Sequence, residues 1–222
     1  MQRDIINAIK ERKIIAIVRG VEPKNLVPLA KALYDGGIRL MEITYSADGS
    51  VSDEETAAAV GALANEFDGR MYIGSGTVLT REQVKRTNDA GGRFIISPNT
   101  DAEVIRYTKE LGMVSIPGAL TPSEAEAANR AGADFVKLFP VTSMGVSYVK
   151  AIAAPLSHIR FLAVGGITPE NIGEYLDIGV CGFGIGSNII NKEYIAEENY
   201  EKITASAKEY VMAVKRRNNI CI

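Results

Sequence analysis

The chain has one histidine and two cysteines in 222 residues, and no apolar run approaching the ~18 residues that would span a bilayer. A single imidazole, His158, excludes multi-histidine metal sites. Any Ser-His or Cys-His nucleophile would have to use that residue. His158 precedes the strand-like run Arg160 to Val164, at the end where a barrel keeps its stability contacts, so it reads as a surface or packing histidine. Cys181 and Cys221 lack metal-ligand spacing and suggest a reducing compartment. Met1-Gln2-Arg3-Asp4 lacks the charged-then-apolar order of a signal peptide, which makes the cytoplasm the expected address. A net charge of −2 leaves little to build a nucleic-acid groove, and Lys215-Arg216-Arg217 reads as a solvated helix end. Neither nucleic acid nor membrane is an expected partner.

What is present is enough apolar matter, 46% hydrophobic against 23% charged, to fill the core of one barrel-sized domain spanning 1–222. Strand-like runs begin near Ile14, Leu40, Met71, Phe94, Met113, Phe135, Phe161 and Cys181. Between them stand helix-start signals: Pro23, Ser52-Asp53-Glu54-Glu55, Thr80-Arg81-Glu82, Asp101, Thr121-Pro122-Ser123-Glu124, Thr168-Pro169-Glu170 and a last helix from about Glu198. Eight alternations predict an α/β fold, a (β/α)₈ TIM barrel, with an extra helix before Ile14.

Two of these strands carry a lone charge. Lys137 sits inside Phe135-Val136-Lys137-Leu138-Phe139-Pro140, and Glu42 inside Leu40-Met41-Glu42-Ile43-Thr44. Burial favours the neutral amine, which can condense with a ketone, and a carboxyl group nearby can move protons. The bland alternative is a buried salt bridge between the two strands.

The glycine-rich strand ends Ala163-Val164-Gly165-Gly166-Ile167 and Gly184-Ile185-Gly186-Ser187-Asn188 fall where barrels bind phosphate, with a short helix after them to add its positive end; the alternative is that the glycines merely make tight turns. The spacing of Gly182, Gly184 and Gly186 does not match a dinucleotide fingerprint. Arg19, closing Ile17-Val18-Arg19, suits bidentate capture of a 2-oxo acid carboxylate or a rim ion pair. Thr77 could supply a hydroxyl to that carboxylate or cap the next helix.

In order along the chain, MEIT, GSGTV, ISPN, IPGALTPSEA, FVKLFP, AVGGITPEN and GIGSN resemble the class I aldolases that act on 2-keto-3-deoxy-6-phosphogluconate and 4-hydroxy-2-oxoglutarate. The resemblance implies a Schiff-base lysine at Lys137 and a general acid/base at Glu42. It further implies substrate contacts at Thr77 and Pro98, phosphate contacts at Gly165, Gly166 and Ser187, no metal or organic cofactor, and a homotrimer. The expected partner is a small phosphorylated 2-oxo acid. Two departures stand out. Many members carry a carboxylate-binding arginine where this chain has Ser46, a role Arg19 could assume. The Ala-Val-Gly-Gly and Ser97-Pro98-Asn99 motifs resemble the 6-phosphogalactonate branch, whereas Glu42-Ile43-Thr44 is closer to the gluconate branch. The loop from Ser46 to about Thr56 is also longer than usual. Two other functions fit the residues: a phosphate-binding isomerase or epimerase without a covalent intermediate, and a barrel that binds a phosphometabolite without turning it over.

Overall fold

In a computed structural model describing residues 2–218, the strand runs become a ring of parallel strands wrapped by helices. Cys221 lies outside the described residues. The strands are β1 (Ile14–Val18), β2 (Leu40–Thr44), β3 (Tyr72–Gly76), β4 (Phe94–Ile96), β5 (Val114–Ile116), β6 (Gly118–Ala119), β7 (Val136–Leu138), β8 (Phe161–Val164) and β9 (Gly182–Ile185). Their hydrogen-bonded order is β5-β4-β3-β2-β1-β9-β8-β7-β6, every pairing parallel. The two ends of that order are joined covalently by Pro117. The single fifth strand expected from the sequence is therefore one stave in two pieces, because a proline has no N–H to continue the ladder. Its first piece pairs with β4 and its second with β7. The ring closes as Lys137 N–H donates to Pro117 O at 2.9 Å and Phe139 N–H to Ala119 O at 3.1 Å.

The helices α2 (Pro23–Asp35), α3 (Asp53–Glu66), α4 (Arg81–Asp89), α5 (Ala102–Glu110) and α6 (Pro122–Ala131) begin where their start signals stand. Ser52 and Thr121 form full capping boxes with Glu55 and Glu124, and Thr80 and Asp101 accept hydrogen bonds from their first turns. Next come α7 (Gly145–Ala153), α8 (Ile172–Asp177), α9 (Lys192–Ala196) and α10 (Tyr200–Asn218). Helix α8 starts later than Thr168-Pro169-Glu170 suggests, because the Asn171 side chain accepts from Thr168 N–H at 2.9 Å and closes those residues into a turn. The last helix begins at Tyr200, close to the expected Glu198.

Apolar side chains form two layers. One fills the space between the ring and its helices, with Met41, Val136 and Phe183 among its members. The other lies inside the ring, where Ile15, Leu40, Phe94, Phe135 and Leu162 meet Ile5 and Ile9 of α1 (Gln2–Arg12). These strand residues come from strand starts, so α1 plugs the N-terminal mouth; burying each isoleucine contributes roughly 2 kcal/mol. Chemistry is left to the opposite mouth. His158 stays half exposed on the outside, paired with Glu126 at 3.0 Å. No helix of the described residues is long and apolar enough to cross a membrane.

Candidate active site

Alternation along β7 sets Phe135, Lys137 and Phe139 at successive depths on one face. Phe135 belongs to the sealed floor, Lys137 stands midway, and Phe139 is exposed at the open mouth. The Phe139 ring centroid lies 4.5 Å from the Lys137 Nζ. On β2 the same alternation puts Leu40 in the floor and Glu42 above it. With β5 and β6 counted as one stave, β2 and β7 are four staves apart on a ring of eight, so Glu42 and Lys137 approach each other across the lumen.

They approach without pairing. Glu42 is 2% exposed and Lys137 8%, yet among the described residues no ion pair within 4 Å joins them, and Glu42 Oε2 has no hydrogen-bond partner. The salt-bridge alternative is thereby set aside. Burial pushes the Glu42 carboxyl up to about 7, with the charges of Lys137 and Arg19 opposing the rise. Burial likewise lowers the Lys137 ammonium; Glu42 resists this and Arg19 assists it. Near neutral pH the arrangement thus offers a carboxyl that both gives and takes protons and an amine moved toward its nucleophilic form.

Gly76 makes the carboxylate's position possible. A Cβ on this residue would lie 2.3 Å from both Glu42 oxygens. Gly76→Ala is expected to displace the carboxylate and cost about 100-fold in kcat, with circular dichroism retaining the wild-type secondary structure. Full activity in that variant would mean that Glu42 works from elsewhere.

Arg19 and Thr77 end the two strands flanking β2. The Arg19 Nη2 donates to Thr77 Oγ1 at 2.9 Å, bridging the mouth above Glu42. Thr77 is not a helix cap; Thr80 fills that role for α4. Nor does Arg19 form an ion pair among the described residues. Ser46 is turned to its own loop, bonding Asp48 and, at 2.7 Å, Ser50 Oγ. That leaves Arg19 as the guanidinium at this edge. Pro98 follows β4, and its carbonyl occupies the space a Cβ on Gly118 would need, 2.3 Å away.

Gly165 and Gly166 end β8 in left-handed backbone, φ 101° and 68°, a turn that favours glycine. Asn171 Nδ2 donates to Gly166 O at 2.9 Å, while Asn188 Nδ2 and Tyr210 OH both donate to Ile167 O at 3.0 Å. The turn is therefore fixed in advance, and the N–H groups of Gly166 and Ser187 have no acceptor among the described residues. The Asn188 and Tyr210 bonds are long-range contacts that sequence spacing does not disclose, whereas those of Asn171 are local.

Comparison with known proteins places the chain in one family. The family model described as KDPG and KHG aldolase matches residues 5–206. The chain is 38% identical over 201 residues to a probable 2-dehydro-3-deoxy-6-phosphogalactonate aldolase of Rhizobium meliloti, covering 90% of this chain and 92% of that protein. It is 32% identical over 214 residues to the 2-dehydro-3-deoxy-phosphogluconate aldolase of Treponema pallidum, covering 95% and 97%. Among solved structures, native KDPGal superimposes with a TM-score of 0.83 at 35% identity, covering 93% of this chain and 96% of that one. The KDPG aldolase of Legionella pneumophila, with pyruvate captured as a covalent carbinolamine, gives 0.81 at 30% identity, covering 91% and 96%. This chain belongs to the KDPG and KHG aldolase family.

Proposed function

We propose that the protein is a Schiff-base aldolase that reversibly cleaves a 2-keto-3-deoxy-6-phosphoaldonate to pyruvate and glyceraldehyde 3-phosphate, with 4-hydroxy-2-oxoglutarate as a further substrate giving pyruvate and glyoxylate. The observation that carries this reading is a buried, unpaired amine facing a carboxyl raised to about 7. Lys137 attacks the C2 carbonyl, forming a C–N bond. Glu42 relays protons as the carbinolamine loses water. The cationic imine is an electron sink, so removal of the C4 hydroxyl proton by Glu42, directly or through water, breaks the C3–C4 bond and sends its electron pair into an enamine. Glyceraldehyde 3-phosphate departs. Protonation at C3 and addition of water then release pyruvate and restore Lys137. In this reading Arg19 and Thr77 hold the substrate carboxylate, Pro98 borders the pyruvate end, and Gly165, Gly166 and Ser187 receive the phosphate.

Between the C4 epimers, the galactonate type is favoured by the Ala163-Val164-Gly165-Gly166 sequence and by the 38% identity to a probable 6-phosphogalactonate aldolase, against 34% to a KHG/KDPG aldolase and 32% to a phosphogluconate aldolase. The isomerase and silent-barrel alternatives predict no pyruvate at all. A lactate dehydrogenase-coupled assay with both epimers tests the proposal: pyruvate from both, with larger kcat/KM for the galactonate type, is expected. No pyruvate from either epimer would defeat it. A homotrimer and a cytoplasmic address complete the proposal, and light scattering reads the former.

A further inference from the structure

We infer that Lys192, the first residue of α9, is the cation that holds the distal phosphate of the substrate. The inference rests on the aldolase reading above and assigns the residue that makes this site prefer a phosphorylated ligand. A phosphate near neutral pH carries close to two negative charges, yet the cradle at Gly165, Gly166 and Ser187 offers neutral donors. Arg19 is the nearest named cation to the reacting groups. It is bonded to Thr77 and perturbs both Glu42 and Lys137, which suits it to the carboxylate end.

Lys192 is differently placed. It forms no ion pair or hydrogen bond among the described residues, and it follows β9, the strand paired with β1. Its Nζ stands 3.3 Å from where a Cβ on Gly20 would be. Gly20, at φ 62°, leaves that approach open. On its Gly20 side Lys192 borders a cleft with Glu22, Lys24 and Glu198, and it also lines one of about 550 Å³ together with Ile17, Arg19 and Ser187. Ile17 is the register partner of Glu42, so this cleft adjoins the stave carrying the catalytic carboxyl. Glu193 borders the same cleft, where its single negative charge is outnumbered by Arg19 and Lys192. A compact ammonium on a flexible four-carbon stem can swing from Gly20 to an anion held at Ser187 and return on product release. Its contribution is to affinity, since the phosphate is remote from the bond being broken.

The test compares wild type, Lys192→Met and Lys192→Arg on the phosphorylated substrate and on its unphosphorylated 2-keto-3-deoxy counterpart, with inorganic phosphate as a competing probe. For Lys192→Met, KM for the phosphorylated compound is expected to rise about tenfold or more with kcat little changed. The preference for the phosphorylated compound should shrink by a similar factor, inhibition by inorganic phosphate should weaken in parallel, and Lys192→Arg should recover most of the loss. An unchanged KM, or equal losses on both substrates, would overturn the assignment of Lys192 while leaving the aldolase standing. A wild type that releases no pyruvate from either compound overturns the aldolase reading itself, and the role of Lys192 falls with it.

Discussion

Lys137→Met is expected to leave a folded protein whose aldol cleavage is reduced by about four orders of magnitude or more. Methionine fills much the same volume with an apolar, flexible chain, so no large cavity opens beneath the Phe139 ring. What disappears is the buried amine proposed to bond covalently to the C2 carbonyl. Loss of a desolvated amine should also stabilise the fold, and a melting temperature at or above that of wild type is expected by calorimetry. Steady-state rates and melting curves on the same sample separate loss of chemistry from loss of fold. If this variant kept near-wild-type turnover, Lys137 would not be the nucleophile.

Glu42→Gln is expected to lower kcat by about 10²- to 10⁴-fold, the usual size of a general acid/base contribution. Its effect on stability has the opposite sign and depends on pH. The folded pKa of Glu42, about 7, lies above its ordinary value of 4.5. The folded chain therefore holds this proton more tightly than the unfolded chain does. The stability from that proton is fully present below about pH 4.5 and is lost as pH rises through about 7. Glutamine stays neutral throughout. Above neutrality the variant should therefore melt several degrees higher than wild type, the full penalty being roughly 3 kcal/mol, and the gap should close toward pH 4.5. With the carboxylate gone, Lys137 loses the charge that resists its deprotonation and stays neutral to lower pH. A variant that melts below wild type at pH 8 would indicate that the carboxylate is held by a stabilising partner.

Much of this was legible in the chain because lone charges in apolar strands are expensive. Glu42 and Lys137 stand out for that reason, and alternation puts Leu40 and Phe135 on their faces, as the structure has them. Capping signals such as Ser52 with Glu55 are local, so the helices they open were legible too. The rest depends on closure of the ring. That Glu42 and Lys137 face each other follows from strand order, which pattern alone does not supply. The break at Pro117 came from a missing N–H within an otherwise continuous apolar run. Thr77 and Thr80 carry the same hydroxyl, and only the folded chain shows that Thr77 meets Arg19 while Thr80 caps α4. Ser46 showed a gap in the family pattern, while its capture by Asp48 and Ser50 required the loop to be folded. The space Gly76 leaves for Glu42, and the reach of Lys192 over Gly20, are contacts between separate staves.

The most direct test of the central claim is borohydride reduction in the presence of pyruvate, read by intact-mass and peptide mass spectrometry. One stable pyruvyl adduct per chain is expected, on Lys137 and absent from Lys137→Met. Absence of any adduct while pyruvate demonstrably occupies the site, or an adduct on another lysine alone, would contradict the claim.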